Sequence, residues 1–141
     1  MILYLDASAI VKLYVVESGS DQVRQLTSKA EIVGTALISR AEVVVALAKA
    51  VRTRVLDESQ ANAAAQLFRS QWLDHARVQI TETTISRADA LAWAQRLGGY
   101  DAVHIASALV WQETIGEPVM LATFDQQLHK AGERSGLNIW P

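Results

Sequence analysis

The stretch Ile2-Leu3-Tyr4-Leu5-Asp6-Ala7-Ser8 decides the fold. Its first four residues form an apolar run of strand length, with no charged side chain to face water on either side. A carboxylate follows at once, and Ser8 is suited to open a helix. The same order recurs at Val119-Met120-Leu121-Ala122-Thr123-Phe124-Asp125, where an apolar run again gives way to an acid at a helix start. Further apolar runs lie at residues 31–34, 77–81 and 137–140, each four or five residues long and rich in Val, Ile and Leu.

Helical patterns fill the intervals, at residues 8–15, 20–28, 39–54, 57–76, 84–97, 101–115 and 125–135. Asp57 is placed to cap one of them, Gly98-Gly99 and Gly116 read as stop signals, and Gly136 closes the last. Strand–helix alternation with continuous apolar strands predicts an α/β fold. About five short strands form a mostly parallel central sheet, covered by helices on both faces. At 141 residues, with two prolines and no linker-like segment, the chain reads as one domain spanning 1–141.

Composition removes several functions. Half of the residues are apolar and 20% are charged, which is a globular balance. The formal net charge of −2 argues against a histone-like nucleic-acid binder. With no cysteine there is no disulfide framework, thiol nucleophile or Cys-ligated zinc. The N-terminus lacks the basic and small-residue signals of a secretory leader, and no apolar run approaches spanning length. A soluble, cytoplasmic protein without membrane association is expected.

In open α/β sheets, sites form beyond the C-terminal ends of the strands. Asp6 and Asp125 both project from that edge, and Asp101 opens the helix Asp101-Ala102-Val103-His104-Ile105-Ala106. Glu42 lies within a helix on a stripe with Ile38, Val45 and Ala46, so it points inward. Each Asp has an alternative reading as an ordinary helix cap. Clustered carboxylates repel, so together they either take up protons or hold a cation. Without Cys or a His pair, a hard ion such as Mg²⁺ or Mn²⁺ suits them.

These residues resemble the motifs of PIN-domain ribonucleases. The carriers are Tyr4-Leu5-Asp6-Ala7-Ser8-Ala9, Glu42 in Ile38-Ser39-Arg40-Ala41-Glu42-Val43, Gly99-Tyr100-Asp101-Ala102-Val103-His104-Ile105-Ala106 and Leu121-Ala122-Thr123-Phe124-Asp125-Gln126-Gln127-Leu128. The likeness is strongest to VapC-type toxins of type II toxin–antitoxin operons. It implies a PIN-like three-layer sandwich and a metal-dependent endoribonuclease, in which Asp6, Glu42, Asp101 and Asp125 hold Mg²⁺ or Mn²⁺. It also implies that Ser8 and Thr123 orient the acids or waters. A structured RNA such as tRNA or rRNA as substrate, a homodimer and a cognate VapB-type antitoxin follow from the same likeness. A catalytically degraded PIN scaffold that binds RNA or protein is the alternative.

Cations near these motifs are candidate phosphate contacts: Lys12, Arg40, Lys49, Arg52 and Arg54, although helix C-termini also favour cations. His104 is a candidate to contact phosphate or to bridge to a carboxylate, whereas His75 and His129 read as surface residues. Trp72, Trp93, Trp111 and Trp140 read as core or dimer-interface aromatics. A phosphorelay receiver is disfavoured because Asp6 is followed by Ala7, where that fold needs adjacent acids. A dehalogenase-type phosphatase needs an acid where Ser8 stands. Neither a G-x-G-x-x-G nor a P-loop pattern occurs.

Overall fold

The computed structural model describes residues 1–141. In chain order the elements are β1 (Ile2–Leu5), α1 (Ala7–Tyr14), α2 (Ser20–Ser28), β2 (Ile32–Ala36), α3 (Ser39–Arg52), α4 (Glu58–Gln71), β3 (Ala76–Val78), α5 (Glu82–Gln95), α6 (Gly99–Ile115), β4 (Val119–Ala122), α7 (Gln126–Arg134) and β5 (Asn138–Trp140). The strands form one sheet in the order β3-β2-β1-β4-β5. All four pairings are parallel, with Tyr4 opposite Gly34 on one side and Leu121 on the other. The chain grows outward from β1 in one direction and then in the other. The order therefore reverses between β1 and β4, where a crevice opens at the strand ends.

The alternation of side chains along β1 builds two cores. Leu3 and Leu5 pack with Ile10, Val43, Leu47, Phe68 and Trp72 from α1, α3 and the α4 segment. Ile2 and Tyr4 point to the other face, against Ile105, Leu109, Leu128 and Leu137. Helices therefore cover both faces, as a central parallel sheet requires. Each fully buried Leu, Ile or Phe contributes about 1.5–3 kcal/mol of transfer free energy. Gly34 is in β2 because Trp111 lies flat against it: a Cβ there would overlap the indole ring.

Several boundaries differ from the sequence reading. The helix expected over 57–76 ends at Gln71, because Trp72 turns into the core and tightens the chain into one 3-10 turn, Trp72–Asp74. Ala76 is thereby freed to start β3. Strand β2 runs on to Ala36 because the buried Thr35 hydroxyl donates to the Leu5 carbonyl at 2.7 Å and is paired with Ser39 Oγ at 2.6 Å. Gly98-Gly99 is not a helix stop. Arg96 takes the left-handed conformation (φ 56°) that ends α5, and Gly98 caps α6. His75 is not on the surface: it is 8% exposed, beside Trp72, with Nδ1 3.2 Å from the Gln71 carbonyl oxygen. Trp72 is buried as expected, but Trp93 is 75% exposed.

Candidate active site at the strand ends

The site begins where β1 stops. The Asp6 amide still donates to the Ala122 carbonyl at 3.2 Å, so the β1–β4 ladder runs up to the acid itself. Asp6 then caps α1. Its Oδ1 accepts from the Ala9 amide at 2.9 Å and from the Ser8 hydroxyl at 2.7 Å, and its Oδ2 accepts from the Thr123 hydroxyl at 2.7 Å. Thr123 Oγ1 in turn accepts from the Asp125 amide, and Ser8 Oγ accepts from the Phe124 amide at 2.9 Å. The two hydroxyls thus tie the end of β1 to the end of β4, with Asp6 clamped between them at 4% exposure.

The other three acids arrive on three further helices. Asp125 caps α7, its Oδ1 accepting from the Leu128 amide at 2.9 Å, and lies exposed at the mouth. Glu42 is in the first turn of α3, half-buried, with Oε1 2.6 Å from His104 Nε2. Asp101 is in the first turn of α6. The capping alternative therefore holds for Asp6 and Asp125 and fails for Asp101, because α6 starts two residues earlier, at Gly99. All four carboxylates sit at helix N-termini, where the peptide dipoles favour negative charge by about 0.3–1 kcal/mol each.

That help does not remove their mutual repulsion. Burial pushes the Asp101 carboxyl up; the charges of Asp125, Asp6 and Glu42 raise it further, while His104 opposes them. Burial also pushes Asp6 up, against the hydrogen bonds from Thr123, Ser8 and Ala9. The four acids share one electrostatic field at one edge of the sheet.

A cavity of about 710 Å³ opens beside them. Ser8, Glu42 and Asp125 line it, with Ile38, Val45 and Ala46 on the Glu42 stripe as expected. Lys12, Lys49 and Tyr100 also face it. The cationic candidates separate here. Lys49 is at the rim, whereas the Lys12 ammonium is engaged by Glu17 at 3.0 Å and the Ser18 carbonyl at 2.7 Å, above the Phe124 ring. Arg40 turns its guanidinium over Trp72. Arg52 lines a different groove, between α3 and α4, and Arg54 lies past the end of α3 in a left-handed turn. Arg40, Arg52 and Arg54 are thus corrected as cleft residues: none of them lines the cavity.

Of the two roles expected for His104, the bridge to a carboxylate holds and the phosphate contact does not. It is 2% exposed and bridges to Glu42, so no phosphate reaches its ring. The sequence reading missed Tyr4, whose buried hydroxyl lies 2.8 Å from His104 Nδ1. The signal was present, since a Tyr in a fully buried strand needs a hydrogen-bond partner. It also missed Tyr100, which is 63% exposed at the cleft.

Comparison with known proteins agrees with this fold. The family model of the PIN domain matches residues 3–134. Ribonuclease VapC45 of Mycobacterium tuberculosis is 35% identical over 141 residues, covering 99% of this chain and 95% of that protein. Among solved structures, FitAcB from Neisseria gonorrhoeae superposes with a TM-score of 0.71 at 17% identity, covering 99% of this chain and 97% of that one. A toxin–antitoxin complex from Klebsiella pneumoniae gives 0.69 at 18% identity, covering 100% and 97%.

Proposed function

Because this chain belongs to the PIN-domain family, we propose that it is a ribonuclease toxin of the VapC type, cleaving phosphodiester bonds in structured RNA with the help of Mg²⁺ or Mn²⁺. The reading is supported by the position of Asp6, Glu42, Asp101 and Asp125 at helix N-termini along one edge of the sheet, near enough for the charges of the other three to act on Asp101. Whole-chain identity to a mycobacterial ribonuclease supports the activity.

The donor set fits a hard divalent cation. It is all oxygen and acidic, and burial pushes the carboxyls of Asp6 and Asp101 towards protonation. No three of the acidic or imidazole groups already stand as a closed ligand cage, so the fit rests on donor chemistry and charge. Asp6, Glu42, Asp101 and Asp125 are the residues that would hold the ion. When bound, it supplies positive charge to the phosphate and acidifies water.

The rest belongs to the protein. Ser8 and Thr123 hold Asp6 in a single orientation through its two oxygens. Lys49 on the rim attracts the phosphate backbone, and Tyr100 offers an exposed ring to an unstacked base. Ile38 and Ala46, both half-buried, give the cavity an apolar wall beside Glu42.

The same reading includes a cognate VapB-type antitoxin that covers this cleft; that the Klebsiella neighbour is a toxin–antitoxin complex supports such a partner. It includes a homodimer, for which the exposed Trp93 and Ile85 of α5 are available apolar surface. No helix is long and apolar enough to cross a membrane, and the compartment in this reading is the cytoplasm, where RNA is abundant.

The test is cleavage of structured RNA by the purified protein, with Mn²⁺, with Mg²⁺ and with a chelator. Metal-dependent cuts leaving 5′-phosphates, abolished by Asp101→Asn, are the expected result. RNA binding without cleavage under every metal condition would replace this reading with a non-catalytic PIN scaffold.

A further inference from the structure

Three elements that carry the acids are joined by one buried hydrogen-bonded chain. It runs from the Tyr4 hydroxyl on β1 to His104 Nδ1 on α6 (2.8 Å), and from His104 Nε2 to Glu42 Oε1 on α3 (2.6 Å). Tyr4 stands two residues before Asp6 on the same strand. His104 stands three residues after Asp101, on the same face of the same helix. The chain therefore spans the elements that present Asp6, Asp101 and Glu42, and ends on one of the acids.

We propose that His104 is a positioning residue: it fixes the Glu42 carboxylate for its cation, and Tyr4 fixes His104. This rests on the metal-dependent reading given above.

Direction and burial support it. Tyr4 is 0% exposed, and a buried O–H needs an acceptor, which Nδ1 at 2.8 Å provides. With Nδ1 accepting, Nε2–H is left as the donor to Glu42. The Tyr4 and His104 rings also meet edge to face, 5.9 Å apart and 80° inclined, so the imidazole is held by shape as well as by its two hydrogen bonds. Glu42 needs such a hold. It sits in the first turn of α3, where Ile38 at the N-cap offers no side-chain bond. One oxygen is committed to His104, and the carboxylate borders the cavity. Partners that orient a ligand in this way are worth about 10- to 100-fold in metal affinity.

The test is a double-mutant cycle on Mn²⁺ affinity, read from the electron paramagnetic resonance of free Mn²⁺, with RNA absent. Wild type, His104→Phe, His104→Gln, Glu42→Gln and the Phe/Gln double variant are compared. Metal-free crystal structures of the two His104 variants are determined alongside. His104→Phe is expected to weaken Mn²⁺ binding about 10- to 100-fold. His104→Gln, whose amide can still donate to Glu42, recovers part of the loss. In the Glu42→Gln background, His104→Phe adds nothing. In the metal-free structures Glu42 leaves its place in the Phe variant and keeps it in the Gln variant. Wild-type affinity in His104→Phe, or a full additional loss in the Glu42→Gln background, overturns the proposal. So does an unmoved Glu42 in the Phe structure. If the wild type binds no Mn²⁺, the metal-dependent reading fails separately, and the position of Glu42 in the metal-free structures still decides whether His104 sets it.

Discussion

The two ends of α1 face different chemistry. At its N-terminus Asp6 is one of four carboxylates on four helix N-termini, and their charges all act in one direction on Asp101. At its C-terminus Tyr14 borders a second cavity, of about 490 Å³, near the start of β2, where Arg24, Asp74 and His75 mix both signs of charge. Mixed charges settle among themselves. Four like charges do not, and the dipoles of their helices only partly offset the repulsion. On the proposed reading an added cation offsets the repulsion at the acidic end, which otherwise costs stability, while the other end is ordinary surface and core.

The contrast breaks most visibly in activity. Asp101→Asn should lower RNA cleavage by about three to four powers of ten, the scale of a several-kcal/mol electrostatic contribution. His75→Ala at the other end should leave the rate per folded molecule unchanged. It should cost about 1–2 kcal/mol in urea unfolding, because a buried ring beside Trp72 and a hydrogen bond to Gln71 are lost. A fall in cleavage rate in that variant would mean that the two ends are coupled.

Smaller effects sharpen the comparison through pH. A carboxyl raised above its unfolded value of 3.8 binds more protons folded than unfolded. Metal-free protein therefore loses stability as pH rises from there through the folded value, and the whole deficit is present at neutral pH. Asp101→Asn should remove its share and raise the metal-free melting temperature by a few degrees or less, since Asp101 is only partly buried and solvent screens it. The same substitution thus harms activity and helps the apo fold; an unchanged or lower melting temperature would show that repulsion is not stored there. The smallest effect is at Tyr14, whose pKa burial, with help from Asp74, pushes up to about 12. Its folded state holds the phenol proton longer, so stability falls between about pH 10 and pH 12. Tyr14→Phe should flatten that alkaline fall in a thermal-melt series.

Much of this was legible in the chain because β1 and β4 announce themselves. Ile2–Leu5 and Val119–Ala122 are uninterrupted apolar runs, each followed by an acid, and the structure keeps both boundaries unchanged. The parallel sheet and the common edge for Asp6 and Asp125 followed from that repetition. What escaped reading depended on partners distant in sequence. Thr35 continues β2 only because Leu5 accepts its proton and Ser39 pairs with its oxygen. His75 is buried only because Trp72 folds in beside it. For His104 the sequence left phosphate contact and a carboxylate bridge both open, because its two partners lie 100 and 62 residues away. Arg96 ended α5 in a left-handed conformation that two neighbouring glycines seemed better suited to adopt. The basic cluster scattered because successive residues of a helix face different neighbours, which sent Arg40 to Trp72 and Arg52 to the α4 groove.

The central claim is tested most directly by diffraction from crystals soaked in Mn²⁺, recorded at the manganese absorption edge. An anomalous peak within bonding distance of oxygens from at least two of Asp6, Glu42, Asp101 and Asp125 is the predicted result. Crystals that show no peak there at saturating Mn²⁺, or a peak only elsewhere on the surface, would contradict it.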